Sequence, residues 1–167
     1  ATYLGVADGA PDNWTFLEKH TDLRVLDFYH ASEYLTGAME GVFSGTRAHA
    51  KGQPWLCAVC HDLKHKKGAA SRILSELTKW KELKLSQERM DKVKKAVTYF
   101  TNNKKLMGYY FFVKNNLPIG SGVTEAACKT IIKQRLCKSG MKWKLDGAGK
   151  VISLRCLAQT DGRWKQF

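Results

Sequence analysis

Thr2-Tyr3-Leu4-Gly5-Val6-Ala7 runs apolar and partly aromatic straight into Asp8-Gly9. A short apolar run closed by a turn signal is a buried strand. Its last residue is then an acid at the strand's C-terminal edge, where α/β sheets gather ligand groups. Beyond it, Asp12 or Asn13 caps a short helix from Trp14 to about Lys19, and Arg24-Val25-Leu26 make a second strand. That strand also ends in an acid, Asp27, with His30 three positions on, after which Ala31, Tyr34, Leu35, Ala38 and Val42 keep helical spacing. Strand, helix, strand, helix over residues 1–44 predicts an α/β unit.

Gly41 to Pro54, with Ser44 and Thr46 between, reads as a loop. From there the period is helical. Ile73, Leu74, Leu77 and Trp80 share one face, and Met90, Val93, Val97 and Phe100 share another behind a candidate cap, Ser86. Leu106 to Val113 fits either a third helix or a buried strand, and Asn115-Asn116-Leu117-Pro118 closes the section. Residues 45–118 therefore read as an all-helical insertion, followed over 119–167 by C-terminal helices. The first of these opens at Gly120-Ser121-Gly122-Val123-Thr124-Glu125 and runs toward Cys137, placing Glu125, Lys129 and Lys133 on one drifting stripe. Two readings of Glu125 stand: a functional carboxylate, or a complement to the positive end of the helix dipole. A last helix from Gly147 to Gln159, capped by Asp146, is expected to bury Val151, Leu154 and Ala158.

Twenty-eight bases against 15 acids give a net charge of +13 and a pI near 9.6, a balance that favours polyanionic partners and argues against an acidic metabolic enzyme. The charge is unevenly spread: residues 1–62 sum to −4, 63–125 to +9 and 126–167 to +8. The five cysteines are an odd number, and no spanning apolar run or leader is visible, so a reduced cytoplasmic setting with no membrane partner is expected. Because the chain opens on Ala1 inside strand-like sequence, it reads as the C-terminal portion of a longer one.

Several clusters compete for a chemical role. Asp8 and Glu125, with Asp27 as a third ligand and Asp12 a weaker one, are hard oxygen donors of the kind that hold paired Mg²⁺ or Mn²⁺ ions for phosphoryl chemistry. Cys57-Ala58-Val59-Cys60-His61 spells a c-type haem attachment pattern without an export signal, and Cys57, Cys60, His61 and His65 offer four zinc ligands without the usual spacer. Two ordinary cysteines in a helix is the favoured reading. Lys64, Lys66 and Lys67 form a basic run suited to phosphates. Lys138, Lys142 and Lys144 around Trp143 suit a strand backbone with an unstacked base, although Trp143 fits a core equally well. Trp14, Trp55, Trp80 and Trp164 are assigned to packing, and Cys128, Cys137 and Cys156 to the core.

Ala7-Asp8-Gly9-Ala10 with Asn13-Trp14, Leu26-Asp27-Phe28-Tyr29-His30-Ala31, and Leu117 through Glu125 together resemble bacterial insertion-sequence transposases of the DDE type, relatives of the Mutator-like group. The likeness continues through Gly140-Met141-Lys142-Trp143 and closes at Gly162-Arg163-Trp164. It implies a partial ribonuclease H-like catalytic core with a helical insertion, DNA transposition by metal-dependent strand cleavage and transfer, and transposon ends and target DNA as partners of a nucleoid-associated dimer. By the same resemblance Asp8 and Glu125 are catalytic metal ligands, Asp27 and His30 are a signature beside the active site, and Lys129 and Lys133 join the later lysines on DNA. The family's first aspartate has no match, so the opening strands are expected upstream and this portion is expected to be inactive alone. The competing class is a non-catalytic basic DNA- or RNA-binding module.

Overall fold

The computed structural model describes residues 2–43 and 45–166, with backbone alone at 46–49. The chain divides into two units, one ending at Gly120 and the other starting at Ser121.

The first unit begins with β1 (Leu4–Ala7) and β2 (Leu23–Leu26), paired in parallel with Leu4 opposite Leu23 and Ala7 opposite Leu26. A parallel pair requires a crossover, supplied by α1 (Pro11–His20). Proline starts α1 well because its missing N–H falls among those that have no partner in a first turn. The helix is longer than expected and its cap position is Ala10, so neither Asp12 nor Asn13 caps it. After β2 comes α2 (Phe28–Val42), whose apolar face, Phe28, Ala31, Leu35, Ala38 and Met39, is buried.

Among the described residues the sheet has these two strands. A ribonuclease H-like core needs a larger mixed sheet, so that expected fold class is wrong for this chain. What replaces it is a helical core organised on α2. Against α2 pack α3 (Thr46–His65) and α5 (Gln87–Asn103), and α4 (Ala69–Trp80) packs on both of these. Val59, Leu63, Ile73, Leu77, Ala96 and Phe100 form one core with Val25 and Leu26 of the sheet. Arg89 of α5 closes the end of α2, its guanidinium donating to the carbonyls of Gly41 (2.7 Å) and Val42 (2.8 Å). A 3₁₀ turn (Lys104–Leu106) and α6 (Tyr109–Lys114) complete the unit, which resolves the Leu106–Val113 ambiguity in favour of helix.

The expected loop over 41–54 is largely helix α3, with Pro54 inside it; Ser44 lies outside the described residues. A proline there deprives the Ala50 carbonyl of its partner. Both residues are exposed, a setting in which solvent can take the place of the missing donor. Packing decides the rest: a side chain at Gly52 would strike Met39, and Trp55 donates to Glu76 at 2.7 Å while its ring meets Trp80 at 4.5 Å.

The regular elements of the second unit are helices, α7 (Gly122–Ala127), a π-helical stretch over Cys128–Lys133, α8 (Gln134–Leu136) and α9 (Leu145–Gln159), with a turn and extended chain over 137–144. Arg155 on α9 donates to the carbonyls of Thr130 and Ile131 in the widened stretch. The burial expected on α9 is absent. Leu154 and Ala158 are exposed and Val151 is half-buried, Cys128, Cys137 and Cys156 are exposed, and Trp164 is 57% exposed. No helix among the described residues is long and apolar enough to cross a membrane.

Candidate nucleic-acid interface

The carboxyl ends of the two strands bring Asp8 and Asp27 to one edge, as their positions after β1 and β2 require. Neither is disposed as a metal ligand. Asp8 folds back on its own loop, its Oδ1 accepting from the Ala10 N–H (3.1 Å) and the Asn13 amide (3.0 Å). Those bonds, the Ala10 N–H foremost and the nearby His30 adding to them, hold the Asp8 carboxyl below its usual value. Asp27 is 2% exposed and caps α2, accepting from the N–H groups of Tyr29 (2.7 Å) and His30 (3.2 Å). His30 Nδ1 sits 3.3 Å from Glu33 on the same helix. Asp8 also opens a broad groove of about 1220 Å³, walled by Trp14, the stacked rings of Tyr34 and Tyr99 (3.8 Å), and Asp91, Lys94 and Lys95 of α5. Two carboxylates there offset two ammoniums, so the groove offers a polyanion no net attraction.

Glu125 belongs to the second unit, where its carboxylate takes a 2.8 Å hydrogen bond from the Ser121 hydroxyl and lines a shallow groove with Lys129 and Lys133. Among the described residues no group of three His, Cys, Asp or Glu side chains is placed to hold a metal. The expected two-metal site for Mg²⁺ or Mn²⁺ is therefore corrected: the carboxylates that were to build it are committed to a loop, a helix cap and a serine. The same finding sets aside zinc at Cys57, Cys60, His61 and His65. Cys57 is exposed in mid-helix, burial raises the Cys60 thiol's pKa, and His61 and His65 stack on each other at 4.7 Å.

The basic residues divide more informatively. Lys64 is half-buried with its ammonium 4.2 Å above the Phe28 ring, a cation–π contact that turns it inward. Lys66 is paired with Asp62 at 2.8 Å, which lowers the Asp62 pKa. Lys67, by contrast, is exposed and has no ion pair among the described residues. In the second unit Lys129, Lys133, Lys138, Lys142 and Lys144 are all exposed. Trp143 is not in a core: it is 37% exposed, and the Arg135 guanidinium lies 5.1 Å over its ring. The turn Lys138–Met141, closed by a 3.1 Å bond and left-handed at Gly140, folds Trp143 back onto that arginine.

The chain matches no protein-family model, no curated protein and no solved structure. With a two-stranded sheet and no metal-holding cluster among the described residues, the transposase resemblance fails as an assignment of family, of fold and of DNA strand-transfer activity. Three short motifs in order were carried by residues with local work to do: an Asx-type loop at Asp8, a helix cap at Asp27, and a serine–glutamate pair at the start of α7. Sequence reasoning missed Arg135 as the partner of Trp143, and missed Tyr110, Phe111 and Lys114. The eight-residue spacing from Arg135 to Trp143 across a Ser-Gly turn was the available signal for the first, and a four-aromatic run, Tyr109 to Phe112, for the others.

Proposed function

We propose that this chain is a non-catalytic nucleic-acid-binding protein of the cytoplasm that holds DNA through phosphate contacts and aromatic stacking. The reading rests on the exposed Trp143 under Arg135 within residues 126–145, a stretch with six bases and no acid. Such a run neutralises phosphates, and the guanidinium-backed indole offers a flat face to a base. Lys138, Lys142 and Lys144 flank it, and the acid that follows them, Asp146, is paired with Lys150 at 2.8 Å. The +13 total supports the same class of partner.

Fluorescence anisotropy with a labelled DNA oligonucleotide tests this. Affinity should fall steeply between about 50 and 200 mM salt, with a log–log slope of roughly −0.9 per phosphate contacted. The triple change Lys138→Gln, Lys142→Gln, Lys144→Gln should make that slope shallower by about two to three, and a chelator should leave binding unchanged. Salt-independent binding, or a triple variant equal to wild type, would remove the proposal.

A further inference from the structure

On the first unit, the turn after α3 and the helix α6 enclose a pocket of about 530 Å³ whose lining, among the described residues, carries no carboxylate. Lys66, Lys67 and Gly68 form one side; Tyr110, Phe111 and Lys114 form the other. α6 is only six residues long, yet it is pinned at both faces. Tyr109 and Phe112 point into the core, at 0% and 6% exposure, which forces the intervening pair outward: Tyr110 is 37% and Phe111 49% exposed. The Leu117 N–H donates to the Phe112 carbonyl at 2.8 Å and the Asn115 amide to the Phe111 carbonyl at 2.7 Å, so the backbone carrying these rings is held. Phe111 also meets Phe112 edge-on at 5.3 Å, and the Lys114 ammonium stands 5.9 Å from the Tyr110 ring.

Two large rings fixed at the surface, between an exposed Lys67 and Lys114 with no ion pairs among the described residues, make a specific chemical combination. A duplex hides its base faces and shows such a pocket only phosphates. An unpaired strand shows both, and stacking on fixed aromatics with ammoniums on the adjoining phosphates is how sequence-tolerant single-strand sites work. Gly68, left-handed at φ 72°, keeps the Lys67 side of the pocket free of a side chain. Resting on the nucleic-acid reading above, we infer that this pocket receives an unpaired base and its flanking phosphates, so that the partner is single-stranded nucleic acid and Phe111 is its stacking platform.

The test compares a labelled thymidine strand of about twelve nucleotides with a duplex of equal length, each across the same series of salt concentrations, on the full chain. Phe111→Leu keeps apolar bulk and removes the π face; Phe111→Ala removes both, and Phe111 is not part of the core. Both variants should weaken single-strand binding by about ten-fold while leaving duplex binding unchanged. Lys67→Gln with Lys114→Gln should reduce the salt slope for the single strand by about one to two. If wild type binds both strands and Phe111→Leu binds the single strand as wild type does, the pocket assignment is wrong and the broader reading survives. Loss of duplex affinity in Phe111→Leu to the same degree also overturns it. If wild type binds neither strand, both readings fall.

Discussion

Tyr109 carries a hydroxyl that no solvent reaches and that has no hydrogen-bond partner among the described residues, inside the core of the first unit. Its ring earns the place, packing edge-on against Phe28 at 5.4 Å, while the oxygen is stranded. Burial pushes the phenol's pKa far above its ordinary value, and the neighbouring Tyr99 and Asp27 add to the shift. A raised folded pKa means stability that is complete below the unfolded value, about 10 for tyrosine, and lost as pH climbs from there toward the folded value. Tyr99, shifted upward mainly by burial, contributes in the same window. Tyr109→Phe should therefore leave neutral-pH stability unchanged or raise it by up to about 1 kcal/mol, and should flatten the decline above pH ~10. Urea titrations of both proteins at neutral and alkaline pH would show it. A variant that is weaker at pH 7 would mean that the hydroxyl is satisfied after all.

The pairing of α2 with α5 is the element-scale joint on which the first unit depends, and two glycines of α2 report on it differently. A Cβ at Gly41 would lie 2.7 Å from the Arg89 carbonyl oxygen, a backbone atom that cannot turn aside. A Cβ at Gly37 would meet nothing within 4 Å. Gly41→Ala should cost about 1–3 kcal/mol by prising the helices apart, whereas Gly37→Ala should stabilise by about 0.5–1 kcal/mol through helix propensity. Denaturant midpoints that shift in the same direction for both would refute the packing described. Helices whose apolar period is strong, α2, α4 and α5, were legible in the sequence because one face does most of the burial. α3 was not, since Gly52 and Pro54 signal a loop locally and only the tertiary contacts of Met39, Trp55 and Trp80 outweigh them. α9 misled in the opposite sense: its apolar residues suggested a buried stripe, and Leu145 at 92% and Leu154 at 50% exposure show none. At the candidate interface the lysines could be read from the chain but not their pairing, so Lys64 and Lys66 looked equivalent to Lys67 until Phe28 and Asp62 claimed them.

At the scale of the whole molecule, charge and burial are distributed in opposite senses. The unit through Gly120 contains every buried residue among those described; the unit from Ser121 contains none, while carrying ten bases against three acids over 121–167. A segment of that size without a core has little apolar burial to set against chain entropy, and its like charges repel. The helices there are held by local bonds, such as Lys150 to Asp146 at 2.8 Å, and by the Arg155 clasp on the π-helical stretch. Bonds of that kind open without global unfolding. Hydrogen exchange should therefore find the amides of α2 and α5 the slowest in the chain and those of α7 and α9 faster by orders of magnitude. Adding duplex DNA, which does not engage the aromatic pocket of the first unit, should slow the second group selectively, most around 129–144, because neutralised lysines stop opposing the helical state. Equal protection of α9 and α5 in the free protein would show that the second unit has a stabilising partner surface of its own. Protection that rises across both units on adding the duplex would move the binding energy away from the acid-free run and onto the first unit.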